Sequence, residues 1–411
     1  MTIVDVNVKA IDYSARYLYP NRTVEIKTSE RNITTPIRAA TSYEYHEKAK
    51  VPTDIPINNP IFINIEKLDY SRFEKLLKTN HYFAKIMRKI DLNNRLAQYS
   101  NLRLTLLQPT VTSKRDPKTG EKIRDSPMEH LKQNPALREK FLRFIIRLQQ
   151  EVGLNPITIP FLELPFHTFQ ETVTQVSKSL EKINLQTIFF VDINYTDFEP
   201  AIELLANELQ SKMIGLIFRR YRSFPLSYEA LSKYIDRDIV FFAVQVYRYD
   251  SYYDDISTMH YLPFFGNDIY AVETPAPYGS STKGEQVEPP KDRLQYVRLF
   301  DKESLRVVPI AATQSTLEKL KDEYHNDIII RSIIDNFHEA RTDDSKYKVL
   351  RAFSKVNELH SSSSEFERFQ DYVRQNSTKD YIQEKRFLQT TLQKAKQYSV
   401  ERSPSKQAKL M

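Results

Sequence analysis

Three charged residues stand inside or directly after apolar runs, where an ionised side chain is costly unless something pairs with it. Glu163 lies within Phe161-Leu162-Glu163-Leu164-Pro165, Asp192 ends the run Ile188-Phe189-Phe190-Val191, and Arg219 follows Ile214 to Phe218. Two carboxylates ~5–10 Å apart serve as acid and base, or as acid and nucleophile, in cleaving glycosidic bonds. An Arg219–Asp192 pair across neighbouring strands would equally satisfy both charges with no chemistry at all. More polar residues fall at comparable points: Gln108 and Thr110, Asn194, Arg220 and Arg222, Gln245, Tyr247 and Arg248, then His260. Asp268 and Glu273 bracket the run Ile269 to Val272. Glu163 and Asp192 are the expected catalytic groups. Gln108, Arg219, Arg220, Gln245, Arg248, His260, Asp268 and Glu273 are the expected substrate contacts.

What must position them is a regular alternation. Apolar runs at 157–164, 187–193, 213–218 and 239–246 alternate with helix-period segments at 168–182, 198–210 and 227–234. Such alternation predicts βαβ units and a parallel sheet covered on both faces. Earlier strands are read at 61–65 and 102–107, later ones near 270 and 296. Seven or eight strands counted from Ile61 match an α/β fold of the (β/α)8, TIM-like barrel type better than an open sheet. In such a barrel the C-terminal strand ends carry the chemistry, and that rule nominates the residues above. The expected organisation is a β-rich N-terminal segment (1–54), a barrel (55–320), an α-helical extension (321–393) and a basic, disordered tail (394–411). Ser361 to Ser364 reads as a break between two C-terminal helices.

Composition removes several classes. With no cysteine there is no disulfide, thiolate zinc site or cysteine nucleophile. Six glycines fit neither a G-x-G-x-x-G nor a Walker A pattern. The eight histidines show no metal-ligand spacing and no G-x-S-x-G motif occurs, so no metal and no cofactor are expected. No apolar run approaches the ~18 residues of a membrane span and no leader is visible, so a cytoplasmic protein without a membrane partner is expected.

Charge is unevenly distributed. Residues 51–150 carry 19 Lys/Arg against 10 Asp/Glu, and residues 151–290 carry 10 against 19. This asymmetry points either to a polyanion partner, RNA or DNA, or to basic helices packed around an acidic middle. Lys346, Lys348, Arg351 and Lys355 form a helical row that could track phosphates or simply face solvent. The tyrosine-rich stretch Tyr247 to Asp255 could stack on a base or sugar, or pack on the barrel rim.

The expectation is a transferase or hydrolase acting on a nucleic acid or nucleotide-like polyanion, through nucleobase or glycosidic-bond chemistry. Base exchange on a barrel is the chemistry of tRNA-guanine transglycosylases. Their Asp-Ser-Gly-Gly-Phe-Gln pattern and cysteine zinc site are both missing here, so the analogy is one of fold alone. Two alternatives stand beside it. One is a non-enzymatic nucleic-acid-binding or assembly protein on a degenerate barrel. The other is a glycoside hydrolase using the same carboxylates, against which the lack of tryptophan counts.

Overall fold

The computed structural model describes residues 2–15, 20–52, 55–110, 112–115, 122–218, 224–245, 259–272, 296–385 and 388–401. Alternation at the start of the chain gives an antiparallel sheet of β1 (Ile3–Asp12), β2 (Asn21–Thr28) and β3 (Asn32–Thr34). The barrel follows. Its elements are β4 (Ile37–Thr41), α1 (Ser42–Lys48), β5 (Ile61–Leu68), α2 (Tyr70–Lys78), α3 (Asn80–Leu96) and β6 (Leu102–Pro109). A hairpin of β7 (Thr112–Arg115) and β8 (Lys122–Asp125) then leads into α4 (Pro127–Gln133) and α5 (Pro135–Glu151). The ring continues through β9 (Ile157–Ile159), α6 (Phe166–Glu181), β10 (Thr187–Asp192), α7 (Phe198–Glu203), β11 (Met213–Phe218), α8 (Phe224–Leu231), β12 (Val240–Gln245) and β13 (Ile269–Ala271).

Eight parallel strands are hydrogen-bonded in the order β6-β5-β4-β13-β12-β11-β10-β9, a nearly closed TIM-like barrel. The seam lies between β6 and β9. Side chains take over the ladder there. The Gln149 amide accepts from Thr158 N (2.9 Å) and donates to Thr158 O (2.8 Å), and Thr158 Oγ1 donates to Thr105 O. The exposed strand edge is thus satisfied without a backbone partner.

Two sequence expectations are corrected. The first barrel strand is β4, ahead of residue 55. Its Arg38 and two alanines give it poor strand propensity, and parallel pairing with β13 and β5 overrides that. The strand near 296 is outside the barrel: β14 (Tyr296–Asp301) pairs antiparallel with β15 (Arg306–Ala311).

Register separates the two faces of the wall. Arg38 of β4 meets Glu44 of α1, and Asn64 of β5 accepts from Asn93 of α3 (2.9 Å), so these residues face the helices. Their strand neighbours Ile37, Ala39, Ile63 and Ile65 face the lumen. Gly215 is required in that lumen, because a Cβ there would lie 2.4 Å from the ring of Phe190.

The sheet of β1–β3 lies against the N-terminal strand ends. Ile3 and Gln186 exchange main-chain to side-chain bonds ahead of β10, and Val8 N donates to Asp238 ahead of β12. Arg22 of β2 forms a bidentate pair with Asp268, directly before β13, and donates to the carbonyls of Tyr234, Ile235, Arg237 and Ile239.

Beyond β15 come α9 (Gln314–Glu323), α10 (Ile328–Glu339), α11 (Asp343–Arg374), α12 (Thr378–Glu384) and α13 (Leu388–Glu401). The apolar faces of α9, α10 and the first half of α11 make a second core with Val297, Leu299, Phe62 and Tyr45, while the rest of α11, α12 and α13 join the main core. The expected break at Ser361–Ser364 does not occur, and α11 runs through it. Ser362 donates back to Glu358 O (2.6 Å), which keeps its hydroxyl inside the helix ladder, and its small side chain is fully buried. Helix α13 extends past residue 393 to Glu401, and residues 402–411 lie outside the described residues. Among the described residues no helix is long and apolar enough to cross a membrane.

Candidate functional site

Asp192 reaches the lumen by register. It pairs with Ile217, Ile217 with Val244, Val244 with Ala271 and Ala271 with Ala39. Gln108 shares that face through Leu104, Ile63 and Thr41. Both stand at C-terminal strand ends and each is 1% exposed. Asn194 holds Asp192 Oδ1 with its main-chain N (2.9 Å) and its side-chain Nδ2 (3.1 Å), fixing the carboxylate's orientation.

Glu163 sits in the segment that joins β9 to α6. Its φ is +52°, the left-handed region that costs a non-glycine residue about 1 kcal/mol or more. The surrounding structure imposes that conformation. Gln108 Nε2 donates to Phe161 O (3.0 Å) on one side, and Tyr195 Oη donates to Leu164 O (2.7 Å) on the other. The Phe161 and Tyr195 rings meet edge-on with centroids 5.1 Å apart. Burial, with help from Asp197, pushes the Tyr195 hydroxyl up to about 12, so it remains a donor across the ordinary pH range. The Glu163 carboxylate is 43% exposed with Lys132 Nζ at 3.7 Å. The C-terminal side of the barrel thus holds a buried carboxylate at the end of β10 and a partly exposed one in the segment after the neighbouring β9.

No protein-family model matches the chain, and no curated protein matches it. Function is then a matter of what these side chains can do.

Of the other nominated residues, Asp268 and His260 lie elsewhere in the fold. Asp268 lies at the N-terminal end of β13, where its oxygens take Arg22 and the main-chain N of Phe241 (2.8 Å). His260 lies on the helix side of the wall, buried against the Phe300 ring. Its Nδ1 is 2.8 Å from Tyr270 Oη and its Nε2 is 3.4 Å from Glu358 Oε1. Glu358 also meets Arg38 (3.4 Å) and Lys355 (2.7 Å). Burial pushes the Glu358 carboxyl up, but Lys355 and Arg38 outweigh it and hold it well below the usual carboxylate range. Burial pushes the His260 imidazole down, against the pull of Glu358. This cluster joins α11 to β4 and β13, and beyond His260 no local pattern marks it, because Arg38 and Glu358 are 320 residues apart along the chain.

Gln245 ends β12, and its side chain lies outside the described residues. Arg219, Arg220, Arg222, Tyr247, Arg248 and Glu273, with the whole tyrosine-rich stretch, also lie outside them. In the helical row, Arg351 turns to Tyr43 and Glu47 (3.1 Å) and Lys355 turns to Glu358, which removes half the row from solvent-side duty. Tyr195 and Lys132 were missed. Tyr195 lies in the turn after β10, and only the fold brings it to the Glu163 segment. Among the described residues no group of His, Asp and Glu side chains is arranged to hold a metal ion.

Proposed function

We propose that this barrel is an enzyme that breaks an N-glycosidic bond in a nucleic acid or nucleotide-like polyanion, with Asp192 and Glu163 as its carboxylates. The observation that carries this reading is that Asp192 ends β10, buried and oriented, while Glu163 lies partly exposed in the segment after the neighbouring strand β9. Asp192 is suited to attack, or to stabilise, the sugar carbon as positive charge develops there. Glu163 is suited to protonate the leaving base. Attack forms a C1′–O bond as the C1′–N bond breaks, and the base departs with the Glu163 proton. Water or an incoming base then displaces Asp192.

The polyanion element rests on the β7–β8 hairpin. It follows the end of β6 in the chain, and its two strands carry Lys114, Arg115, Lys122 and Arg124 against a single acid, Asp125. Basic residues in α2, α3 and α5 are less available, since Lys78, Arg95, Arg143 and Arg147 sit in pairs one helical turn from an acid.

The test is incubation with short RNA and DNA strands, with free base measured chromatographically and binding followed across a salt series. Release that stops in Asp192→Asn, with binding retained and weakening as salt rises, supports the reading. No binding at low salt and no release would overturn it.

A further inference from the structure

We infer that Gln108 recognises the departing base through an N–H donor on that base, an inference that rests on the nucleobase reading above. A glutamine amide has two chemically distinct ends. The Nε2 end of Gln108 donates to Phe161 O (3.0 Å) and Pro109 O (3.2 Å). Two carbonyl oxygens can be met only by the NH2 end, so the amide can take just one orientation. That leaves Oε1 buried with no hydrogen-bond partner. A buried acceptor without a donor is unfavourable, and a ligand N–H removes the deficit.

The position fits a ligand. Gln108 is on the lumen face at the end of β6, the same face and the same end as Asp192. The β1–β3 sheet lies at the opposite end of the barrel. A heterocycle with an N–H pointed at Oε1 is accepted, and one presenting a lone pair or a methyl group there is refused. The same amide pins Phe161, two residues before Glu163. Recognition of the base is thereby held in register with the acid that protonates it.

The experiment measures equilibrium binding of free adenine, guanine, hypoxanthine, cytosine and uracil to the full chain, wild type and Gln108→Met. The tightest base is then compared with its N-methylated derivatives. In the wild type, methylating the recognised nitrogen should weaken binding about 10- to 100-fold, and in Gln108→Met by less than about 3-fold. Tyr195→Phe is the control, because it releases the other end of the Glu163 segment and leaves Oε1 in place. It should keep the wild-type discrimination. The inference is overturned if no base binds, if methylation costs the same in wild type and Gln108→Met, or if Tyr195→Phe also abolishes the difference. Should Gln108→Met not fold, lack of any methylation penalty in the wild type overturns it alone. Base release that depends on Asp192 alongside a flat methylation series would remove Gln108 and leave the enzyme reading standing. Discrimination without release would do the reverse.

Discussion

Asp268→Asn separates a residue that holds the barrel together from one that touches a ligand. In the wild type the Arg22 guanidinium is buried and its counter-charge is Asp268, at 3.0 Å from Nε and 2.8 Å from Nη2. The same carboxylate accepts from Phe241 N. Asparagine keeps the shape but removes the charge and turns an NH2 group toward donors. Breaking a buried pair in this way costs about 3–5 kcal/mol, because the remaining charge stays buried and uncompensated. That is a large fraction of the ~5–15 kcal/mol that holds a typical fold. With a urea m-value of about 3 kcal/mol/M or more, the unfolding midpoint falls by up to about 1.5 M. The chain has no tryptophan, so far-UV circular dichroism is the appropriate readout. Arg22→Met should give a comparable loss, and the double variant should lose clearly less than the two added together. An unchanged midpoint in Asp268→Asn, with weakened ligand binding, would refute the structural assignment and return Asp268 to the substrate contacts.

Three other outcomes are expected. His260 is held neutral by burial, so the unfolded chain binds its proton at pH values where the folded chain does not. Its contribution is complete above the unfolded pKa of about 6.5 and is lost as pH falls, with a slope approaching 1.4 kcal/mol per pH unit, so urea titrations at about pH 7.5 and 5.5 should differ in the wild type and less in His260→Gln. Gly215→Ala forces a methyl into the Phe190 ring and should cost about 1–3 kcal/mol in thermal melts, with Phe190→Leu recovering part of it; equal melting temperatures would show that the ring moves freely. Gln149→Leu leaves the N–H and carbonyl of Thr158 unpaired at the seam, for a loss of about 2–5 kcal/mol and faster hydrogen exchange at Thr158; unchanged exchange would mean that β6 closes onto β9 directly.

The barrel was legible where its strands are apolar on both faces. Runs such as Ile188 to Val191 and Ile214 to Phe218 lie between lumen and helices, so periodicity alone marks them. Strand β4 was illegible because Arg38 faces α1 and α11 rather than solvent, and no local pattern announces a partner on a distant helix. Tyr296 to Asp301 misled for the opposite reason, since its alternating apolar residues serve a hairpin packed on α11. Asp192 and Gln108 stand at C-terminal strand ends, which the strand-end rule locates because it is positional. The strained conformation of Glu163 was not legible, because it is imposed by Gln108 and Tyr195, which come from β6 and from the turn after β10. Asp268 stands ahead of its strand, as its position before Ile269 requires, and its buried partner Arg22 comes from a strand some 246 residues earlier that no local pattern reveals.

The pairing of β4 with β13 also has a bearing on how the chain is made. Ile37 and Ala39 find their ladder partners only in Ile269 and Ala271, roughly 230 residues later. At ~5–20 residues per second a ribosome needs ~10–50 s to supply them. During that interval β4, β5 and β6 have only one another to pair with, and a three-stranded sheet of this kind has two open edges that invite pairing with a neighbouring chain. The charged side chain of Arg38 at the centre of the waiting edge strand is a guard against such pairing, and only later becomes the anchor for α11. Slower translation lengthens this exposure, so yield of folded protein should respond to chaperone supply more than to substitutions at the C-terminal strand ends.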